Sequence, residues 1–174
     1  MALASPPIAD AAQAQALTLL EHVALIDGHN DMPYVLRLDA AAKGDVAAYD
    51  LGRVHPETDT DIPRMRAGRL AGQFFAAYVP PNQKNPAGFA LAQIALMRAV
   101  TVRHADVFRP GLAADDVAAA KAEGRIALFM TIENGSALDG ELDALDAYHG
   151  LGVRLMTLCH NGTHDWCDSA TDAP

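Results

Sequence analysis

Cysteine, basic residues and unbroken apolar runs are all scarce in this sequence, and each scarcity closes off a class of protein. Two cysteines, Cys159 and Cys167, among 174 residues are too few for a disulfide scaffold. Thirteen Lys and Arg against 22 Asp and Glu give a formal charge of −9. The few cations are scattered, so nothing clusters to neutralise phosphates, and nucleic acid is excluded as a partner. Residues 1–20 hold no Lys or Arg to start a signal peptide, and Gln13 and Gln15 interrupt their apolar stretch. Neither a signal peptide nor a membrane span is expected, and a cytoplasmic location is the default. The chain also has no G-x-S-x-G elbow, P-loop or G-x-G-x-x-G fingerprint. Serine catalysis and nucleotide binding lose support accordingly.

What is present suffices for a globular core, since 51% of the residues are hydrophobic. Residues 9–22 carry Ala, Leu and Gln at helical spacing after Pro6 and Pro7, so residues 1–22 read as a leading helical segment before a single domain over 23–174. Residues 23–27 form a short apolar run expected to be a buried strand. Residues 39–61 read as a long loop, and Thr60 or Asp61 is placed to cap a short helix with Pro63 in its first turn. A second strand is expected over 70–79, stopped by Pro80 and Pro81. Helices follow from Leu91 to about Val107 and over 114–123, the latter with Asp115 and Asp116 at its positive end and Gly124 after its last turn. Residues 125–132 make a third strand, 138–149 a helix stopped by Gly150, and 153–159 a fourth strand. Four strands separated by helices specify an α/β protein with a parallel sheet. Residues 165–174 read as a polar loop with no helix to cover the fourth strand.

Side chains alternate along a strand, so Asp27, His29 and Asp31 share one face if the extended chain continues past the first strand. His29 and Asp31 can then hold one metal ion, at the carboxyl end of a strand where a barrel places its active site. A capped turn with a satisfied histidine is the plainer reading of the same two residues. Glu133 closes the third strand on the face of Ala127, Phe129 and Thr131, where it can bind one metal or bridge two. It can equally cap the turn through Asn134, Gly135 and Ser136. His160 follows the fourth strand in the same manner. Three of four strands thus end in ligand-type residues, and the pattern outweighs any member.

A competing constellation packs Cys159, His160, His164 and Cys167 into nine residues, a candidate local zinc site. Its spacing fits no usual C-x2-C pair. Cys159 reads instead as a small buried apolar residue and Cys167 as an ordinary loop thiol. Trp166 either lines a pocket or packs beneath its loop, the second being the plainer reading. His22, His55, His104 and His149 have no ligand neighbours at suitable spacing and read as surface or packing residues.

The run Ile26-Asp27-Gly28-His29-Asn30-Asp31-Met32-Pro33 resembles the opening metal motif of the membrane (renal) dipeptidase family of zinc peptidases. Thr60-Asp61-Ile62-Pro63-Arg64-Met65-Arg66-Ala67-Gly68, followed by Gly72-Gln73-Phe74-Phe75, resembles that family's next block. Ile132-Glu133-Asn134-Gly135 is similar to the segment with its bridging glutamate, Asn134 standing where glycine is more usual. Gly152 to Asn161 is similar to the strand with its substrate-binding histidine, and Asp168-Ser169 follows in order. The resemblance implies a metal-dependent hydrolase of the TIM (β/α)8 barrel type, of which this chain carries about the first four βα units. It implies that His29 and Asp31 bind the first zinc, that Glu133 bridges two zincs as a catalytic and metal-binding residue, and that His160 is the catalytic, substrate-binding histidine. It further implies dipeptide hydrolysis by a bridging water made acidic by two zinc ions, with a D-residue tolerated at the substrate's C-terminal position.

The family's histidines for the second zinc, its carboxylate-binding arginine and its late aspartate have no counterparts in these 174 residues. A whole (β/α)8 barrel takes about 250 residues, and four strands are roughly half of one. The expectation is a truncated chain with two unpaired sheet edges, inactive unless completed by another chain. Two other readings stand beside it. An amidohydrolase-type barrel normally opens with His-x-His, which Asp31 disfavours, and a non-catalytic remnant or binding module would keep the fold without the metal. The sequence leaves the oligomeric state open, a homo-oligomer included.

Overall fold

Apolar runs alternating with amphipathic stretches build one parallel sheet clad by helices. In the computed structural model, which describes residues 11–172, the order is α1 (Ala11–His22), β1 (Leu25–Asn30), α2 (Met32–Leu38), α3 (Val46–Tyr49), α4 (Ile62–Ala67) and β2 (Leu70–Tyr78). There follow α5 (Pro86–Arg103), β3 (Phe108–Gly111), α6 (Asp115–Ala122), β4 (Ile126–Glu133), a 3-10 turn (Gly135–Leu138), α7 (Ala144–Leu151) and β5 (Val153–Met156). Every pairing in the sheet is parallel. β4 lies at the centre, with β2 and then β1 on one side. Its other edge is shared: β3 pairs with Ile126 to Phe129, and β5 with Met130 to Ile132.

Five strands therefore stand among the described residues where the sequence suggests four. The addition, β3, reads Phe-Arg-Pro-Gly, and its proline and charge hide it in a sequence pattern. The helix expected to run to Val107 stops at Arg103, four residues short, and starts earlier, where Asn85 caps it by accepting from Gly88 N at 2.9 Å. The helix expected over 138–149 is split, because Asp139 (φ 53°) and Gly140 (φ 83°) turn the chain before α7. The last strand ends at Met156 rather than at residue 159. The expected cap at Asp61 is present, its carboxylate accepting from Arg64 N at 2.8 Å. The leading helix spans Ala11–His22, and residues 9 and 10 lie outside the described residues.

The sheet buries two faces. On one, Phe75 and Ala77 of β2, Val79 just after it, and Leu128, Met130 and Ile132 of β4 pack under Leu36 of α2 and Ile94 and Met97 of α5. On the other, Ala127 and Phe129 meet Val117 and Ala120 of α6, and the rings of Phe74 and Phe129 stack at 4.6 Å. Thr131 and Glu133 continue this second face, in the alternation expected from sequence. Among the described residues, β1 pairs only with β2, and β3 and β5 only with β4. The outer strands leave Ile26 (46% exposed) and Leu155 (42%) in the open. No described helix is long and apolar enough to cross a membrane.

Candidate metal centre

β1 stops at Asn30, and Asp31 sits at the N-cap of α2 with φ −87° and ψ 20°, outside the extended region. The register against β2 also shifts between Asp27 and Asn30, so the simple alternation expected to align Asp27, His29 and Asp31 fails. His29 and Asp31 converge nevertheless, with Nε2 and Oδ1 3.5 Å apart. The turn between them is pinned by Asn30, whose Oδ1 accepts from Met32 N (3.0 Å) and whose Nδ2 donates to Thr60 Oγ1 (2.8 Å). Asp27 stands below, accepting from Gln73 Nε2 (2.8 Å) and His29 N (3.2 Å), and so anchors the strand rather than joining the ligands.

Glu133 reaches the same point from β4. It pairs with Tyr78 across the ladder, and its carbonyl accepts from Val79 N at 3.0 Å. One carboxylate oxygen lies 3.4 Å from His29 Nε2 and the other 3.1 Å from His160 Nε2. Asn134 then turns the chain at φ 86°, a conformation that favours glycine. Its side chain compensates by donating to Val79 O (2.9 Å) and accepting from Ser136 N (3.2 Å). Gly135 is required for space, since a Cβ there would stand 2.6 Å from the Trp166 ring. Trp166 lays one edge of its ring against that turn and tilts over His164 at 4.6 Å, while about half of it stays exposed.

His160 lies beyond β5 on a loop rather than on the strand itself. Its ring meets Tyr78 edge-on at 5.1 Å, and Tyr78 meets Tyr34 likewise at 5.1 Å. Ser169 Oγ donates to the His160 carbonyl at 2.6 Å and fixes the loop. Tyr78, Gln73 and Asn30 are supports that sequence reasoning missed. Only the register of β2 against β4 reveals Tyr78, and no local pattern marks it.

Ligand atoms of His29, Asp31 and Glu133 all lie within 4.8 Å of one another, the one such group among the described residues. Burial pushes the Glu133 carboxyl above its usual range, the Asp31 charge pushes it further, and the imidazoles of His29 and His160 oppose the shift. Burial likewise raises the Tyr78 hydroxyl, aided by Tyr34, Glu133 and Asp31. An imidazole and two carboxylates facing one point are a donor set that fits a divalent cation, whose charge offsets their mutual repulsion. A recess of about 410 Å³ opens beside them, lined by His29, Asp31, Met32, Glu57, Thr58 and Thr60 among others. The competing Cys/His site is not assembled: His164 Nε2 contacts Leu158 O at 3.0 Å instead. His55, stacked on Tyr49 at 4.2 Å and paired with Glu57 at 3.0 Å, has the expected packing role.

The sequence matches the membrane dipeptidase family (peptidase family M19) over residues 13–174. Dipeptidase ataJ of Aspergillus terreus is 36% identical over 168 residues, covering 91% of this chain and 40% of that protein. The probable dipeptidase PvdM of Pseudomonas aeruginosa superposes with a TM-score of 0.75 at 20% identity, over 90% of this chain and 39% of its own. A metallopeptidase of Rhodobacter sphaeroides, solved with a phosphinate mimic of the dipeptide L-Ala-D-Ala, superposes with a TM-score of 0.64 at 24% identity, over 80% of this chain and 46% of its own. The chain therefore spans less than half the length of these relatives. The parallel sheet and its helices are the front part of a TIM-type barrel.

Proposed function

The chain belongs to the membrane dipeptidase family, peptidase family M19, and from that membership we propose that it supplies the front of a zinc-dependent dipeptidase site. The observation that carries the reading is the convergence of His29, Asp31 and Glu133 within 4.8 Å, with His160 at 3.1 Å from the glutamate. His29 and Asp31 would hold the first zinc, and Glu133 would be shared with a second. Zinc, when bound, supplies Lewis acidity that polarises a carbonyl and acidifies water.

The chain's own residues do the rest. Glu133, fixed at the end of the buried strand β4, would act as a metal-holding carboxylate and not as the proton carrier. His160 presents an imidazole beside it, placed to donate a hydrogen bond to the substrate oxygen that gains charge as the peptide bond is attacked. Tyr78 and Ser169 position that ring. The recess beside His29 and Asp31 admits a substrate of dipeptide size. The Rhodobacter metallopeptidase carries a mimic of a dipeptide with a C-terminal D-residue, which supports the same substrate class here. Asp31 in place of a second histidine argues against a His-x-His amidohydrolase.

With a single candidate ligand group among the described residues, this chain alone is expected to turn over no dipeptide, and measurable release of free amino acids from a dipeptide panel with added zinc would overturn that expectation. The dipeptidase reading itself is tested by joining residues 13–174 to the C-terminal portion of an M19 relative. The account expects turnover that Glu133→Gln and His160→Ala each abolish. A joined protein that folds and binds zinc yet hydrolyses no dipeptide would refute it.

A further inference from the structure

The two cysteines, unused by the metal centre, meet at the base of the loop that carries His160. Cys167 closes a tight hairpin in which it and His164 exchange two backbone hydrogen bonds of 3.1 Å. Cys159 aims its sulfur into that hairpin, 3.1 Å from Gly162 O and 3.8 Å from Cys167 O. Both thiols are free and half-buried. The 3.8 Å contact of the Cys159 sulfur with the Cys167 carbonyl brings the two cysteines together, and burial with the neighbouring Cys159 thiol raises the Cys167 thiol. No imidazole or carboxylate joins them in a ligand group among the described residues, so the pair lacks the donors of a structural zinc site. The loop is also closed before any cross-link forms. Ser169 holds the His160 carbonyl at 2.6 Å, and Thr163 Oγ1 accepts from Ser169 N at 3.0 Å. A sulfur already seated against the partner cysteine's carbonyl is within side-chain reach of that partner's thiol.

We propose that Cys159 and Cys167 form a thiol–disulfide couple, and that its oxidation staples residues 159–167 and fixes the backbone of His160 beside Glu133. The oxidant is a small-molecule disulfide such as oxidised glutathione. One cysteine thiolate attacks a sulfur of the reagent and expels one reduced thiol, leaving a mixed disulfide. The second thiolate attacks the protein sulfur of that mixed disulfide, forms the Cys159–Cys167 bond and expels the second reduced thiol. The chain loses two protons and two electrons, and the reagent gains both. The thiolate is the reacting species, so the raised Cys167 thiol makes the reaction faster as pH rises. The cross-link is independent of the dipeptidase reading, and only its bearing on His160 as a substrate-binding residue rests on that reading.

The test uses neither zinc nor a dipeptide. The folded chain is incubated with oxidised glutathione, free thiols are alkylated, and intact mass and peptide maps are read. The expected result is the loss of two hydrogens, no alkylation at either cysteine and one peptide joining them, with Cys159→Ser leaving Cys167 as a glutathione adduct. Two glutathione adducts, or two alkylated cysteines, in a chain that circular dichroism shows to be folded would overturn the couple. Backbone hydrogen exchange over residues 158–169 then reads the staple: it slows in the oxidised chain, and unchanged exchange would overturn the claim that oxidation fixes the His160 loop.

Discussion

β1 and β4 both end in ligand-type side chains, yet they are held in opposite ways. β4 is buried from Ile126 to Ile132 and paired along both edges, so the backbone alone delivers Glu133, whose side chain is 13% exposed. β1 has no buried residue and one partner, and the side chains of His29 near its end and Asp31 just beyond it are 45% and 49% exposed. Their placement depends on side-chain anchors, Asn30 to Thr60 and Asp27 to Gln73, and on the loop that Asp61 closes. The Glu133 carboxylate is thus set by the core, while His29 and Asp31 are set by a polar scaffold at an edge. That difference predicts where stability and metal binding separate.

The largest effect tests the core half. Ile132→Ala, at a fully buried position on the α5 side, should cost about 2–5 kcal/mol in urea unfolding. Ile26→Ala, on exposed β1, should stay within about 0.5 kcal/mol. Equal losses would break the comparison.

Next comes the polar scaffold. Asp61 is fully buried, accepts from Arg64 N and Nε at 2.8 Å each and from His55 N at 3.0 Å, and caps α4. Asp61→Ala should cost roughly 2–4 kcal/mol and weaken zinc binding as the Thr60 anchor moves. Burial alone would raise this carboxyl, but the hydrogen bonds from His55 and Arg64 and the guanidinium charge outweigh it and hold it below its ordinary range. A depressed carboxyl stabilises the fold fully above its unfolded value, and that contribution is lost as pH falls through the folded value. Melting temperature should therefore drop in acid, and Asp61→Asn should remove that part of the dependence.

Glu133 behaves with the opposite sign. Its raised carboxyl favours the protonated fold, so in the metal-free chain its contribution is present below the unfolded value and declines as pH rises through the folded one. Glu133→Gln should leave the metal-free chain unchanged or more stable by about 1 kcal/mol at neutral pH, while zinc affinity collapses. A large loss of stability would assign Glu133 to the scaffold instead. The smallest stability effect belongs to His29→Ala, within about 0.5 kcal/mol. Its loss of zinc affinity should exceed the ~10–100-fold typical of outer-shell partners.

The same contrast explains what was legible in the sequence. β2 and β4 are buried on both faces and read as apolar runs, and Asp61 with Pro63 announces α4 as a cap and first turn. β3 was hidden because Pro110 and Arg109 break the pattern, and pairing with β4 alone makes Phe108–Gly111 a strand. His29, Asp31, Glu133 and His160 were legible as strand-end residues, although Asp31 and His160 reach the site from a helix cap and a loop. Tyr78 and Gln73 were illegible because their roles arise from neighbours 55 and 46 residues away, Glu133 and Asp27, a distance fixed by sheet order and not by spacing.

The most direct test of the metal centre is titration of the chain with zinc, with the ligands read by cobalt(II) substitution. The account predicts a bound ion whose spectrum lacks a thiolate-to-metal charge-transfer band and whose binding is lost in His29→Ala and in Glu133→Gln. A thiolate band, or binding that survives both substitutions, would contradict it.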